Sequence, residues 1–137
     1  TDVRDLTSAD VDEDGDLDLL TLDPGVQQLR LLSNDGAGHF TLSWSAAVGG
    51  FAFGLSAGDL TGDGAPDVVV ALSGSTSVEI WVGDGAGTFA PQSPIYVGQG
   101  PQKPALYDVD RNGSLDGMDT INQQAFNILT SSKLADD

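Results

Sequence analysis

Residues 10–18 carry the pattern that decides the fold, Asp10-Val11-Asp12-Glu13-Asp14-Gly15-Asp16-Leu17-Asp18. Five aspartates are spaced two apart around a single glycine, and like charges this close repel each other unless a cation lies among them. The pattern offers side-chain oxygens at positions 1, 3, 5 and 9, a backbone carbonyl at position 7, and a glycine where the chain must turn. A hard cation with many oxygen ligands requires these groups, so the stretch predicts a calcium site.

The acidic loop occurs three times, and its first residue recurs every 49 positions, at Asp10, Asp59 and Asp108. Phe40 and Phe89 have the same separation. A strict internal repeat of this length indicates a solenoid, a propeller or another array. We therefore divide the chain into a first repeat, a second repeat and a partial third repeat, at residues 1–49, 50–98 and 99–137.

Short apolar or alternating segments between turn residues predict four strands in each of the first two repeats. In the first repeat they lie at residues 5–9, 17–22, 26–33 and 40–45. In the second they lie at residues 53–58, 68–72, 78–82 and from Phe89 onward. Four strands in about 40–50 residues are typical of a propeller blade. The predicted fold class is therefore mainly β, with β-propeller blades of four antiparallel strands, two complete and a third partial.

The third repeat begins like the others, with a strand at Pro104–Tyr107 followed by the third acidic loop, and then changes. Apolar residues from Met118 to Leu129 recur at helical spacing, and no glycine or proline interrupts residues 118–134. This pattern predicts a short C-terminal helix. The alternative is a degraded strand at residues 127–130.

The charge of the chain limits its partners. It has 21 acidic residues against five lysines and arginines, a formal charge of −16. This balance argues against nucleic acid and anionic membranes as partners and favours either bound cations or a salty environment. The absence of cysteine excludes disulfides, thiolate metal sites and a cysteine nucleophile. No apolar run approaches the about 20 residues of a membrane span, so no membrane insertion is expected.

The second repeat resembles a known family. Its residues 53–70, Phe53-Gly54-Leu55-Ser56-Ala57-Gly58-Asp59-Leu60-Thr61-Gly62-Asp63-Gly64-Ala65-Pro66-Asp67-Val68-Val69-Val70, are similar to the FG-GAP repeat of integrin α-subunits and of bacterial VCBS-type repeat proteins. The glycine-rich turns at residues 34–40 and 83–89 are similar to the hairpin of that family. The resemblance covers residues 1–98. It implies β-propeller blades with a calcium ion in the loop between the first and second strands.

Carried over position by position, the resemblance assigns ligands in the first two loops. In the first loop they are Asp10, Asp12, Asp14, Asp16 through its carbonyl, and Asp18. In the second they are Asp59, Thr61, Asp63, Ala65 through its carbonyl, and Asp67. Thr61 replaces an acidic residue at position 3. The second site therefore has one charge fewer, and we expect it to bind more weakly or through water.

The third loop extends to a carboxylate at position 12 and resembles one half of a dockerin module. Its candidate ligands are Asp108, Asp110, Asn112, Ser114 through its carbonyl, Asp116 and Asp119. Dockerins pair two such units and this sequence shows one, so the alternative is a third blade loop followed by a capping helix. We expect two to three calcium ions per chain.

Three classes of function follow from these patterns. The leading one is a non-enzymatic binding or adhesion module with a protein or carbohydrate ligand, in which calcium is structural. Because calcium loops of modest affinity fill where calcium is millimolar, an extracellular or cell-surface location is expected. The alternatives are a dockerin-like assembly module and, with less support, a propeller-based lyase or hydrolase. The single histidine, His39, lies in a hairpin, and Trp44 and Trp81 are expected to pack between blades.

Two complete blades and a partial third are too few for a closed propeller, which needs at least about four. An open propeller leaves sheet faces and edges uncovered, and native proteins cover such edges. The chain is therefore expected to self-associate or to be part of a longer chain.

Overall fold

The computed structural model describes residues 3–23, 25–49, 51–72, 74–98, 104–107, 116–119 and 124–126. Within these ranges every regular element is a β-strand. The prediction of a mainly β fold is therefore confirmed. The same ranges contain no helix that is long and apolar enough to cross a membrane.

The strands form three antiparallel meanders in chain order. Blade 1 consists of β1 (Asp5–Ala9), β2 (Asp18–Asp23), β3 (Gln28–Asn34) and β4 (Phe40–Ala47). Blade 2 consists of β5 (Ala52–Gly58), β6 (Asp67–Leu72), β7 (Ser77–Gly83) and β8 (Phe89–Pro91), and β9 (Ile95–Tyr96) also pairs with β7. The third repeat contributes β10 (Pro104–Tyr107), β11 (Asp116–Asp119) and β12 (Gln124–Phe126).

The 49-residue period is exact in the pairing of the strands that flank each acidic loop. The pairs Ala9 with Asp18, Gly58 with Asp67 and Tyr107 with Asp116 close the three loops in the same register. Because a shift of one residue would turn every side chain to the other face of the sheet, this register also fixes which side chains face the neighbouring blade.

Two predictions about strands and helices need correction. The helix predicted over Met118–Leu134 is contradicted at its described residues, since residues 118–119 belong to β11 and 124–126 form β12. The rest of that segment, with the alternative strand at 127–130, lies outside the described residues. Pairing with β10 gives this segment sheet hydrogen bonds, which outweigh the helical spacing of its apolar residues. The single strand predicted from Phe89 onward is divided into β8 and β9, and prolines at 91 and 94 lie at the break.

The hydrophobic core lies between the blades. One face of blade 1 presents a buried aliphatic set that packs against a buried set on blade 2, Leu20, Leu22, Leu29 and Leu31 against Leu55, Val68, Val70, Trp81 and Phe89. The opposite face of blade 2 buries Val69, Ala71, Val78 and Ile80, with Leu106 of β10 packed against them. Each residue of this second set lies 49 positions after its counterpart on blade 1. The repeat therefore uses the same face each time to meet the next blade.

Trp44 and Trp81 meet in this interface, as the sequence indicates. Their rings are 5.7 Å apart with an interplanar angle of 77°, and Trp44 also lies 5.1 Å from the ring of Phe89. Edge-to-face packing of this kind stabilises a core beyond the area it buries. Both indoles therefore join the two blades.

Candidate metal centre

The first acidic loop brings three carboxylates together. Asp10, Asp12 and Asp18 each offer an oxygen, and these oxygens lie within 4.8 Å of one another. Asp10 directly follows β1, and Asp18 opens β2 and is fully buried. The pairing of the two strands thus places the first and last ligand positions side by side. Within the described ranges, no other group of three or more acidic, histidine or cysteine side chains is this close.

Backbone amides hold two of these carboxylates in place. Asp18 accepts hydrogen bonds from the amides of Val11 at 3.0 Å and Asn34 at 2.9 Å. Asp10 accepts from Asp14 at 3.1 Å and Gly15 at 3.0 Å. These bonds orient the carboxylates before any cation binds.

Asp12 is less well supported than its two neighbours. It accepts one amide hydrogen bond, from Asp14 at 3.3 Å. Desolvation and the nearby carboxylates of Asp18 and Asp14 raise the pKa of Asp12 above its ordinary value. The direction is that of a carboxylate among like charges, which a cation would relieve.

The side chains of the other two aspartates in this loop lie outside the converging group. Asp14 accepts a hydrogen bond from the amide of Asp16 at 2.9 Å, so its carboxylate turns back onto the loop. The carboxylate of Asp16 lies against Gly36, where an added Cβ would be 2.5 Å from Asp16 Oδ2. Of the five predicted ligand residues, three therefore bring their side chains together in the structure. The carbonyl of Asp16 stays a predicted ligand.

In the second loop, backbone amides hold the first and last carboxylates as they do in the first loop, but position 3 has no carboxylate. Asp67 is buried and accepts from the amides of Leu60 at 2.7 Å, Thr61 at 3.2 Å and Gly83 at 2.9 Å. Burial nevertheless outweighs these bonds and raises the pKa of Asp67. Asp63 accepts from the amide of Ala65 at 3.0 Å, as Asp14 does from Asp16 in the first loop.

Asp59 is surrounded by donors, and this distinguishes it from Asp10. It accepts from the amides of Gly64 at 2.7 Å, Gly62 at 2.8 Å and Asp63 at 3.3 Å, and from the Thr61 hydroxyl at 3.3 Å. Burial disfavours the charge, but the hydrogen bonds outweigh it and lower the pKa of Asp59. Thr61 is thus committed to Asp59 where the first loop has the carboxylate of Asp12.

The third loop can be placed only through its ends. Asp108, Asp110, Asn112 and Ser114 lie outside the described residues, and Asp116 and Asp119 belong to β11. A dockerin-like unit needs a helix leaving the loop, and β11 with β12 occupies the start of that segment.

The first loop also touches blade 2. The amide of Gly87, in the turn between β7 and β8, donates to the carbonyl of Val11 at 3.2 Å. A Cβ on Gly85 would lie 3.1 Å from Glu13 Oε1, and a Cβ on Gly87 would lie 3.7 Å from the Cβ of Asp12. The three carboxylates therefore sit at the junction between the blades. Spacing within one repeat gives no sign of this contact.

Comparison with known protein families identifies the repeat. A family model described as an FG-GAP-like repeat matches residues 10–70 and 59–116. The chain belongs to the FG-GAP-like repeat family. Each match begins on the first aspartate of an acidic loop, so the FG-GAP-like unit has the same 49-residue offset as the strands. No curated protein matches the chain.

Among the described residues of this FG-GAP-like chain, His39 lies on the surface in the turn between β3 and β4. Its Nδ1 is 2.8 Å from Asp35 Oδ2. Asp35 also accepts from the amides of Ala37 at 2.8 Å and His39 at 3.1 Å. The amides and the imidazole lower the pKa of Asp35. Asp84, 49 positions later, accepts from Ala86 at 2.8 Å and Thr88 at 3.1 Å in the same way. The pair therefore shapes a turn that recurs without histidine.

Proposed function

We propose that this FG-GAP-like chain is a calcium-stabilised, non-enzymatic binding or adhesion module that works outside the cell or at its surface. The observation that carries the proposal is the convergence of Asp10, Asp12 and Asp18, with carboxylate oxygens within 4.8 Å of one another at a blade junction.

The donor set fits calcium. All the converging groups are carboxylate oxygens, which hard cations prefer, and the loop contributes no nitrogen or sulfur donor. Asp10, Asp12, Asp14 and Asp18 would hold the ion with the carbonyl of Asp16. Bound there, calcium would neutralise the clustered charge. The residues themselves fix the ends of β1 and β2 and the contact with the turn between β7 and β8.

The second loop is a weaker site of the same kind. Asp59, Asp63, Asp67 and the carbonyl of Ala65 would hold its ion, with Thr61 at position 3. The Thr61 hydroxyl and the amides around Asp59 already occupy part of the hydrogen-bonding capacity of the Asp59 carboxylate. We therefore propose that the first loop fills at lower calcium concentration than the second. The third loop remains a proposed site, for a total of two to three ions per chain.

The placement of the polar groups supports binding rather than catalysis. The clustered carboxylates of both described loops serve the loops themselves, and His39 serves a surface turn. The ligand class proposed is a protein or a carbohydrate. The extracellular location rests on the calcium supply, because sites of modest affinity fill at millimolar calcium.

Calcium titration followed by thermal unfolding tests the proposal. At calcium a hundredfold above the dissociation constant, binding to the folded chain adds about 2.7 kcal/mol to the free energy of unfolding. For a domain of this size the melting temperature would rise by about 10 °C. Asp12→Asn removes one converging carboxylate and should abolish most of this rise.

Glu13→Gln is the matched control, because it removes one charge from the adjacent position without touching a proposed ligand. It should keep the calcium-dependent rise. A melting temperature that does not respond to calcium, or equal responses in the two variants, would contradict the assignment.

A further inference from the structure

Aspartate is followed directly by glycine at five places in the chain, and this is a dipeptide at which a protein backbone readily rearranges. The five are Asp14–Gly15, Asp35–Gly36, Asp63–Gly64, Asp84–Gly85 and Asp116–Gly117. The last is paired within β11, whereas the other four aspartates are exposed in turns. These four therefore expose the same reactive group in different local structures.

The rearrangement converts aspartate to isoaspartate through a succinimide ring. The nitrogen of the glycine attacks the aspartate Cγ and forms a C–N bond, and one carboxyl oxygen leaves as water with the amide proton and a proton from solvent. Water then opens the ring at the former backbone carbonyl, so the chain runs through Cγ and the α-carboxylate is free. Glycine favours the attack because it has no side chain beside the nitrogen. The product has the same mass as the starting chain.

Two of the four exposed carboxylates are fixed by several donors. Asp35 accepts from two backbone amides, and its Oδ2 lies 2.8 Å from Nδ1 of His39. Asp84 accepts from two backbone amides and from the Thr88 hydroxyl. The carboxylate must leave these donors before its Cγ can meet the next nitrogen. The turns between β3 and β4 and between β7 and β8 therefore resist the reaction, because it needs them to open.

The acidic loops hold the aspartate before glycine less firmly. Among the hydrogen bonds of the described residues, Asp14 accepts one from the amide of Asp16 at 2.9 Å, and Asp63 accepts one from the amide of Ala65 at 3.0 Å. Fewer contacts have to break in these loops than in the other two turns. Local opening therefore exposes the acidic-loop sites to the reaction more often.

The first acidic loop is in turn held less firmly than the second. The Gly15 amide donates to Asp10 at 3.0 Å, whereas the Gly64 amide donates to Asp59 at 2.7 Å. Glu13, directly before the first dipeptide, has a φ of 60°, which strains a non-glycine residue, and the second loop has a glycine at this position. Repulsion among the three converging carboxylates also favours opening of the first loop.

We propose that Asp14–Gly15 is a site of spontaneous isoaspartate formation, and that it reacts faster than the three other exposed Asp–Gly sites. The product has one additional backbone atom at position 5 of the loop, and its carboxylate is attached directly to Cα. Both changes alter the spacing of the calcium ligands, so conversion limits the time for which the first loop binds calcium. This consequence rests on the proposed calcium function, whereas the order of reactivity does not.

Ageing of the 137-residue chain followed by peptide mapping tests the proposal. The chain is incubated with a chelator at neutral pH, below its melting temperature, and digested. Chromatography then separates the isoaspartyl and aspartyl forms of each peptide, and fragmentation in the mass spectrometer identifies them. The same incubation in denaturing urea gives the rate of each site without folded structure, and there the four rates should be similar.

Relative to these urea rates, Asp14 should convert at least about tenfold faster than Asp35 and Asp84 in the folded chain, the effect of two additional hydrogen bonds on opening. Asp63 should have an intermediate rate. Thr88→Val is the matched variant, because it removes the hydroxyl bond to Asp84 and keeps the shape of the side chain. It should raise the rate at Asp84 about fivefold and leave the rate at Asp14 unchanged.

Calcium at a hundredfold above its dissociation constant should slow conversion of Asp14 about a hundredfold, because binding to the closed loop reduces opening in that proportion. Equal corrected rates at Asp14, Asp35 and Asp84 would overturn the proposal, whether or not calcium binds. So would an unchanged rate at Asp84 in Thr88→Val. If Asp14 reacts fastest but neither its rate nor the melting temperature responds to calcium, the calcium function fails and the isomerisation site stands.

Discussion

Replacing Gly83 by alanine should destabilise the protein sharply. An added Cβ would lie 2.1 Å from the carbonyl oxygen of Pro66, more than 1 Å short of ordinary contact at about 3.5 Å. The obstacle is backbone, which cannot rotate away. The amide of Gly83 also donates to Asp67 at 2.9 Å, so moving the strand would loosen that carboxylate.

The size of the effect follows from overpacking and from the unfolded chain. Overpacking in a well-packed site costs about 1–3 kcal/mol, and the upper end applies to a backbone obstacle. Alanine recovers about 0.4–1 kcal/mol by restricting the unfolded state. The expected net loss is about 2 kcal/mol, which lowers the urea midpoint by about 1 M for a denaturant slope of about 2 kcal/mol per M.

Gly74→Ala provides the control for the added methyl group. Its Cβ would meet Cδ2 of Phe51 at 3.1 Å, but that side chain is largely exposed and can rotate. Its urea midpoint should stay near that of the wild type. Equal midpoints for Gly83→Ala and Gly74→Ala would refute the close contact between Gly83 and Pro66.

Two further predictions concern the blade interface. Trp44→Ala should lower the free energy of unfolding by about 2–4 kcal/mol, because it removes the ring contacts with Trp81 and Phe89. Val26→Ala, an exposed truncation, should change it little in the same urea titration. Glu79→Gln tests a pH effect: burial raises the pKa of Glu79 above its ordinary 4.5 despite hydrogen bonds from the Gly49 amide. As the pH falls from 7 toward 4.5, the folded state takes up this proton before the unfolded state does, so wild-type stability rises relative to the glutamine variant. The advantage of glutamine in unfolding free energy should be largest at pH 7 and shrink on acidification, and a constant difference would contradict the raised pKa.

The repeat made most of the fold predictable. The bounds of β1 and β10 are those expected from the sequence, and the other strands of blades 1 and 2 differ mainly at their ends. The reason is that the turn residues and the alternation of apolar side chains give the same signal twice, 49 residues apart. The third repeat gives the signal once, and there the helical spacing of its apolar residues conflicts with pairing to β10. Pairing with a neighbouring strand decides such conflicts, and a single sequence does not show which strands will pair.

The site was predictable as a loop but not as a set of side chains. Spacing alone treats Asp10, Asp12 and Asp14 as equivalent, yet only Asp10 and Asp12 join Asp18 in the converging group. Which side chains converge depends on local hydrogen bonds to the backbone, which short polar side chains often make and which spacing does not display. The close approach of Gly83 to Pro66 was missed as well. Aligning the repeats offers a signal for it, since Asn34 at the equivalent position reaches the carbonyl of Leu17 with its side chain at 3.1 Å.

The two described loops stabilise the blades in different ways. In the second, Asp59 gathers four donors from its own loop, and Gly62 adopts a positive φ of 81° without strain. In the first, Glu13 takes that position at φ 60°, which a non-glycine residue adopts at a cost of about 1–2 kcal/mol. The first loop thus combines backbone strain with three converging carboxylates and a contact to blade 2 through Val11. A cation that relieves the repulsion there would act on both blades at once, whereas in the second loop it would add to a framework that its own amides already hold.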